Sequence, residues 1–396
     1  MHITVVGGGF GGVKTALELA KKKNVQITLF SDKPDFQYYP ALYSTATGGS
    51  SFQSWVPLGE IFANHQNVQI IIDPVTKLDK AHRTITTASG DVHQYNILVL
   101  ALGSVTTYFG IEGLDQYAYG IKSKEEIDRL KRHLVHDFSK ADTADSHFVV
   151  IGAGPTGVEL ASSLGTFLKK LKKKYGQRQP HTSISLIEAA PRVLPRMSEK
   201  ASARVAKRLK RLGVQVETNK KVEAETADSL MVSGRPIKSH TVVWTSGVAN
   251  NPFYAANADQ FELSKNGKVV VDAHMRADRH IYIVGDNAFT PYSGLAQIAV
   301  HDAVYVAKQI LRKSHKKYSV KLPPVVIPVG ERWAIFEYRS IVISGWLGSW
   351  IRHTADFIGY RDILSLYHTL RALTSQNVKS DAPYYPELDT LQIEKK

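Results

Sequence analysis

The sequence predicts an α/β chain of two parallel-sheet units, one inserted into the other, followed by a C-terminal amphipathic helical segment. Three observations carry that reading. An apolar strand runs into a glycine-rich turn and a helical pattern at Ile3-Thr4-Val5-Val6-Gly7-Gly8-Gly9-Phe10-Gly11-Gly12. The same order returns at Phe148-Val149-Val150-Ile151-Gly152-Ala153-Gly154-Pro155-Thr156-Gly157. Residues 346–373 twice place apolar side chains at helical spacing.

Each glycine has its own task in such a turn. The first (Gly7, Gly152) permits the tight bend, and the second (Gly9, Gly154) lets backbone approach a pyrophosphate. The third (Gly12, Gly157) lets the helix pack close, so that an anion sits on the helix N-terminus. Phe10 and Gly11 fill the first turn between them. One such motif also occurs without a ligand, but two in 396 residues point to two Rossmann-type dinucleotide-binding units. Two dinucleotides imply one that stays and one that visits, a bound flavin and a nicotinamide that reduces it.

The first unit continues with a helix over Val13 to Lys23 and a strand over Gln26 to Phe30. Short strands follow near Val68 to Ile72 and at Ile85, then the apolar run Ile97 to Gly103, which reads as a buried parallel strand. The second unit has a long basic helix that breaks near Gly176 to Pro180, then strands Ser183 to Ile187 and Thr241 to Trp244. His280 to Val284 is a late strand of the first unit. The order predicts a flavin domain of residues 1–113 and 249–323, a nicotinamide domain of 114–248 between them, and a segment of 324–396 after Pro323-Pro324.

With 43% hydrophobic and 22% charged residues, the chain has the composition of a folded protein. Met1-His2 leads straight into a strand, so no signal peptide is expected. No apolar run nears the eighteen or so residues of a membrane span, the longest being Ser340 to Ile351. The net charge of +14 suits an anionic partner, either nucleic acid or an anionic lipid surface; no nucleic-acid module is recognisable, and charge alone does not choose between them. The absence of cysteine excludes a disulfide relay and sulfide chemistry, so an acceptor must take electrons directly from the flavin.

An acidic residue ending the second strand of such a unit holds the ribose hydroxyls. Glu188 stands there in the second unit, where its carboxylate would accept from a diol and repel a 2′-phosphate, favouring NADH. In the first unit the spacing offers either Ser31 or Asp32. Asp286, after a strand and a glycine, is expected on the flavin's ribitol and phosphate linker. Gly103 and Gly247 would mark the two crossings between domains.

With these residues the chain resembles the type II NADH:quinone oxidoreductases, single-subunit, non-proton-pumping enzymes of respiratory membranes. The resemblance spans roughly residues 1–370. It rests on Phe36-Gln37-Tyr38-Tyr39-Pro40-Ala41-Leu42-Tyr43, on Ala101-Leu102-Gly103-Ser104, and on Gly154-Pro155-Thr156-Gly157-Val158-Glu159-Leu160-Ala161. It continues in Ile187-Glu188-Ala189-Ala190-Pro191-Arg192, Val243-Trp244-Thr245-Ser246-Gly247 and Ala296-Gln297-Ile298-Ala299-Val300-His301. It implies bound FAD, NADH as the reductant and a quinone as the acceptor. It places Thr47, Val75, Ala296 and Gln297 among the FAD-binding positions, and Glu159, Gln297 and His301 as the catalytic set. Gln297 and His301, four apart on one helix, would meet a quinone carbonyl, and Glu159 would bear on proton supply or on the nicotinamide–flavin geometry. Three departures bear on quinone preference and the proton route: Ser31 for an acid, His301 for a glutamine, and an ending over Gln376 to Lys396 unlike the family's.

In the C-terminal segment Trp346, Leu347, Trp350, Ile351, Phe357 and Ile358 share one helical face, with Arg352, His353 and Asp356 opposite. A second helix is expected with Ile363, Leu366, Tyr367, Leu370 and Leu373 on one face. Tryptophans, flanking arginines and positive charge favour an interfacial anchor over a helix pair closed on its own core or on a second copy in a homodimer. A peripheral position on the cytoplasmic face of the cell membrane follows. The alternative reading is a soluble NADH-dependent reductase of a small electron-carrier protein.

Overall fold

The computed structural model describes residues 1–139, 147–175, 182–313 and 316–375. The break foreseen near Gly176 to Pro180 and the ending Gln376 to Lys396 lie outside the described residues.

Apolar runs with few polar positions form parallel strands buried on both faces. His2–Val6 pairs in parallel with Gln26–Ser31 on one side and Ile97–Leu100 on the other, with Val5 opposite Leu29 and Val99. Val68–Ile72 extends the sheet beyond Gln26–Ser31, and Ile281–Ile283 extends it beyond Ile97–Leu100. Arg276–Asp278 closes that edge antiparallel, completing six strands. The order joins strands from residues 2–100 with strands from residues 276–283 in one sheet. A second, all-parallel sheet has four strands in the order Val214–Glu217, Ser183–Ile187, His147–Ile151, Thr241–Trp244. Between the two, Ser104–Thr106 and Val248–Asn250 run antiparallel as a two-stranded crossing, Val105 opposite Ala249.

The first helix covers Phe10–Ala20, beginning on the glycine turn itself rather than at Val13. Its counterpart is Pro155–Tyr175, 21 residues long. A helix at Lys124–Ser139, not anticipated from the apolar pattern, starts with a capping box: Ser123 Oγ accepts from the Glu126 N–H at 3.1 Å, and Glu126 Oε2 accepts from the Ser123 N–H at 3.2 Å.

The C-terminal segment begins as an antiparallel sheet of Val325–Pro328, Ala334–Tyr338 and Ile341–Gly345. The apolar run Ser340 to Ile351 is therefore divided between the strand Ile341–Gly345 and the start of a helix. Gly345, with φ 94°, turns the chain into the helix Trp346–Arg361, and Leu366–Ser375 follows.

The polarity of this pair differs from a simple amphipathic helix on a core. On helix 346–361 the buried residues are Gly348, Arg352, Asp356 and Tyr360, whereas Trp346 is 72% and Trp350 66% exposed. The charged row faces inward and the apolar row outward, because Arg352 and Asp356 find partners inside. Only His353 of the expected polar row stays exposed. In the second helix Thr369, Ala372 and Ser375 are buried, and Leu366, Tyr367 and Leu370 are exposed. Ile363 precedes that helix and is buried, so it leaves the expected outer row, and Leu373 is half-buried.

Candidate active site

The two glycine turns have the same construction. At Gly12 an added Cβ would lie 1.9 Å from the Gly7 carbonyl oxygen, and at Gly157 it would lie 1.8 Å from that of Gly152. The third glycine therefore holds each helix against its own turn. Gly7 and Gly152 take φ 118° and 99°, the left-handed side where glycine is favoured. Over Gly9 and over Gly154 there is open space. Gly9 caps its helix without a side-chain hydrogen bond, and neither helix has an acid in its first turn. Free N–H groups, the positive helix end and empty room over the middle glycine fit a pyrophosphate at each turn.

Around the first turn, Phe10 is buried edge-on against Phe36 at 5.0 Å, and Gly11 packs on Val284, 2.7 Å from where its Cβ would be. Ser31 is buried, its Oγ donating to the Lys33 carbonyl at 2.7 Å, and a Cβ on Gly8 would reach that oxygen. Asp32 is exposed. Val75 is buried opposite Thr87 in a small antiparallel sheet. Asp286 accepts from the Ser104 hydroxyl at 2.7 Å, which joins the late flavin-unit loop to the crossing strand after Gly103. Gly103 has φ 65°, and its carbonyl accepts from the buried Asn287 amide. Gly247, φ 78°, accepts at its carbonyl from Lys122 Nζ at 2.9 Å. Burial lowers the proton affinity of Lys122, with Glu126 opposing. Lys122 is a charged residue at the domain crossing that the motifs did not signal; only its place beside the capping box could have.

At the second turn Glu188 is held by backbone. Its Oε2 accepts from the Ala153 N–H at 2.6 Å and its Oε1 from the Ala190 N–H at 2.8 Å. Arg192 donates to the carbonyls of Met197 at 2.6 Å and Pro195 at 2.9 Å, so its guanidinium is committed to its own loop.

Glu159, one turn into helix 155–175, is buried and joined to the C-terminal helix. Arg352 Nη1 donates to its Oε1 at 3.2 Å, Arg352 Nε to Asp356 Oδ2 at 2.8 Å, and Arg352 Nη2 to the Pro40 carbonyl at 2.9 Å. Burial pushes the Glu159 carboxyl up to about 7, with Arg352 opposing and Asp356 adding. Tyr38 stacks on Tyr360 at 3.9 Å, and Tyr360 donates to the Gln53 carbonyl at 2.8 Å.

A cavity of about 420 Å³ lies against this cluster, lined among others by Tyr43, Thr47, Gln53, Trp333, Arg352 and Asp356. Thr47 Oγ1 donates to the Tyr43 carbonyl at 2.9 Å. Gln53 is fully buried and neither end of its amide has a partner. Gln297 and His301 do not line this cavity. Both are exposed on the helix Ala296–Ile310, where His301 sits edge-on to Tyr318 at 5.6 Å and 3.9 Å from the Asp302 carboxylate. Glu159 is thus brought to Arg352, Asp356 and Tyr43, and not to Gln297 or His301. Among the described residues no cluster of His, Asp or Glu suits a metal ion.

Residues 1–303 match the pyridine nucleotide-disulphide oxidoreductase family. The type II NADH:quinone oxidoreductase Ndh of Mycobacterium tuberculosis is 31% identical over 394 residues, covering 91% of this chain and 85% of that protein. NDH2 from Plasmodium falciparum, solved with NADH, superposes with a TM-score of 0.85 over 95% of this chain and 97% of that one at 18% identity. The sulfide:quinone oxidoreductase of Aquifex aeolicus gives 0.74 over 99% and 95% at 22% identity. At these identities the two structures speak for the fold alone.

Proposed function

The chain belongs to the pyridine nucleotide-disulphide oxidoreductase family, and within it to the type II NADH:quinone oxidoreductases, and on that premise we propose that it passes two electrons from NADH through bound FAD to a membrane quinone without pumping protons. The observation that carries this is the pair of matched glycine cradles, one in each parallel sheet, in a chain with no cysteine to relay electrons. FAD, when bound, accepts the hydride of NADH and hands its electrons to the quinone.

The chain's own residues bind, orient and supply protons. The Gly9 turn would receive the FAD pyrophosphate and Asp286 with Ser104 would hold its linker, while buried Ser31, which lies against Gly8 of the turn, would serve the ribose rather than the exposed Asp32. The Gly154 turn receives NADH, its ribose diol meeting the fixed Glu188 carboxylate. The quinone head takes the cavity beside Tyr43 and Arg352, which helix 346–361 covers on one side. A second placement, favoured by the exposure of Gln297 and His301 one turn apart, sets the head against helix 296–310. Stopped-flow separates the two: whichever of Tyr43→Ala and His301→Ala slows flavin reoxidation by quinone, with reduction by NADH unchanged, marks the site.

The enzyme meets its quinone at a bilayer. No helix among the described residues is long and apolar enough to cross a membrane. Trp346, Trp350, Ile358 and Tyr367 are exposed on the C-terminal pair, and the net charge is +14. These support peripheral attachment to an anionic surface, which we place at the cytoplasmic face, over a soluble protein acceptor. The visible spectrum of the holoenzyme tests the whole reading. The flavin bands should bleach with NADH and recover on adding a quinone; a flavin that NADH leaves oxidised, or that quinone leaves reduced, would overturn it.

A further inference from the structure

The loop that follows Glu188 is fastened at both ends, and one fastening comes from a distant part of the chain. At the near end the Ala153 N–H donates to Glu188 Oε2 at 2.6 Å, and the Leu194 N–H donates to the Ala153 carbonyl at 2.8 Å. Residues 188–194 therefore lie against the second glycine turn. Leu194 is buried at φ 48°, a left-handed conformation that leucine adopts when its surroundings impose it. At the far end Ser198 caps the helix Glu199–Arg211, its Oγ accepting from the Ala201 N–H at 3.2 Å. That hydroxyl donates in turn to Glu337 Oε2 at 2.5 Å, and the Ser198 N–H donates to both Glu337 oxygens at 3.1 Å.

Glu337 lies 139 positions further on, in the strand Ala334–Tyr338 of the C-terminal sheet. Alternation puts it on the same face as Ile335, which is buried in one core with Val205 and Leu209 of helix 199–211. Arg204 and Arg208 extend the seam, donating to the Val342 and Val329 carbonyls at 3.1 and 3.2 Å. The apolar seam holds the body of the helix. The carboxylate adds a hold on the residue where loop becomes helix.

We propose that Glu337 is a positioning residue for NADH. By holding Ser198 it fixes the end of the 188–198 loop, so the C-terminal segment takes part in nucleotide binding as well as in meeting the quinone. The inference rests on the reading of the Gly154 turn as the NADH cradle. A loop already held in its bound shape loses less freedom when the nucleotide arrives, and affinity rises accordingly.

The test is calorimetric titration of the oxidised holoenzyme with ADP-ribose, which keeps the adenosine, pyrophosphate and second ribose of NADH but has no nicotinamide, so no electron moves. Ser198→Asp keeps a good helix cap and sets a carboxylate against Glu337. It should raise Kd at least about fivefold, and the KM for NADH should rise with it. Adding Glu337→Gln lets an amide donate to the new carboxylate, and the pair should recover most of the lost affinity. The pair retains that carboxylate, so a direct repulsion of the nucleotide would persist in it. A Kd that Ser198→Asp leaves unchanged, or that Glu337→Gln does not recover, overturns the proposal and leaves Glu337 a residue of the sheet–helix seam alone. Failure of the cradle reading would look different, as unaltered protein that does not bind ADP-ribose, and would remove this proposal with it.

Discussion

Arg352 Nη1 on the C-terminal helix donates to Oε1 of Glu159 on the helix after the second glycine turn, across 3.2 Å and 193 positions of sequence. The contact joins the segment that carries the exposed tryptophans to the unit proposed to bind NADH. It does not make Glu159 an ordinary ionised carboxylate, because burial outweighs the attraction and leaves the group near 7 rather than its usual 4.5. A carboxyl raised in the folded state binds its proton more tightly there than in the unfolded chain. Its contribution to stability is therefore fully present below 4.5 and lost as pH rises through about 7. The shift corresponds to roughly 3 kcal/mol. Glu159→Gln, neutral at every pH, should melt higher than unaltered protein at about pH 8 and lose that advantage toward pH 5. A gap in melting temperature that stays constant with pH would show that the carboxyl does not titrate in this range.

Glu188, proposed to meet the ribose of NADH, should set the choice of nucleotide. Two backbone N–H groups fix its carboxylate, and Arg192 is turned to the carbonyls of Pro195 and Met197 instead of lying free for a 2′-phosphate. NADH should therefore reduce the flavin at least about tenfold more efficiently than NADPH, about 1.4 kcal/mol of discrimination. Glu188→Gln keeps the shape and removes the repulsion, so the ratio of kcat/KM values should fall toward unity. Equal values in the unaltered protein would remove the argument.

Gln53 is an amide buried without a partner at either end. Such a group costs about 1–3 kcal/mol relative to a satisfied one. Gln53→Met, close in volume and lacking the amide, should raise the melting temperature of the quinone-free holoenzyme by an amount matching about 1–2 kcal/mol. The backbone carbonyl that accepts from Tyr360 is unaffected by this change. Calorimetry decides, and a destabilised variant would mean that the amide is satisfied in solution.

The glycine turns, the strands that feed them and Glu188 were legible because each is local: apolar run, turn and acid fall in fixed order along the chain. The crossing strands were legible only as the glycines beside them, since their pairing joins Val105 to Ala249. Helix 346–361 shows the limit of a pattern. Its two rows were visible, but periodicity gives the rows and not which one faces in. Arg352 and Asp356 go inward because Glu159 and the Pro40 carbonyl wait there, and both partners are distant in sequence. Gln297 and His301 were placed on one face correctly as to spacing, and they lie on the exposed side of their helix, apart from Glu159. Lys122 carried no motif of its own, and its contact to Gly247 exists only once the chain has crossed between units.

The outward apolar row should be what holds the protein to a bilayer. Trp346 is 72% and Trp350 66% exposed, a stretch that folding alone leaves in water. Indole rings settle at the headgroup level, and a basic protein is drawn to anionic lipid, so two contributions of different salt sensitivity act together. Charge attraction is screened over about 8–10 Å at physiological ionic strength, whereas apolar insertion is not. Binding to anionic liposomes should weaken, without vanishing, as salt is raised. Trp346→Glu with Trp350→Glu should abolish what remains at high salt, because each change removes buried area and adds a charge the surface repels. Both side chains point away from Arg352 and Asp356, so reduction of ferricyanide by NADH should be retained. A double variant that still floats with liposomes at high salt would place the anchor on another surface.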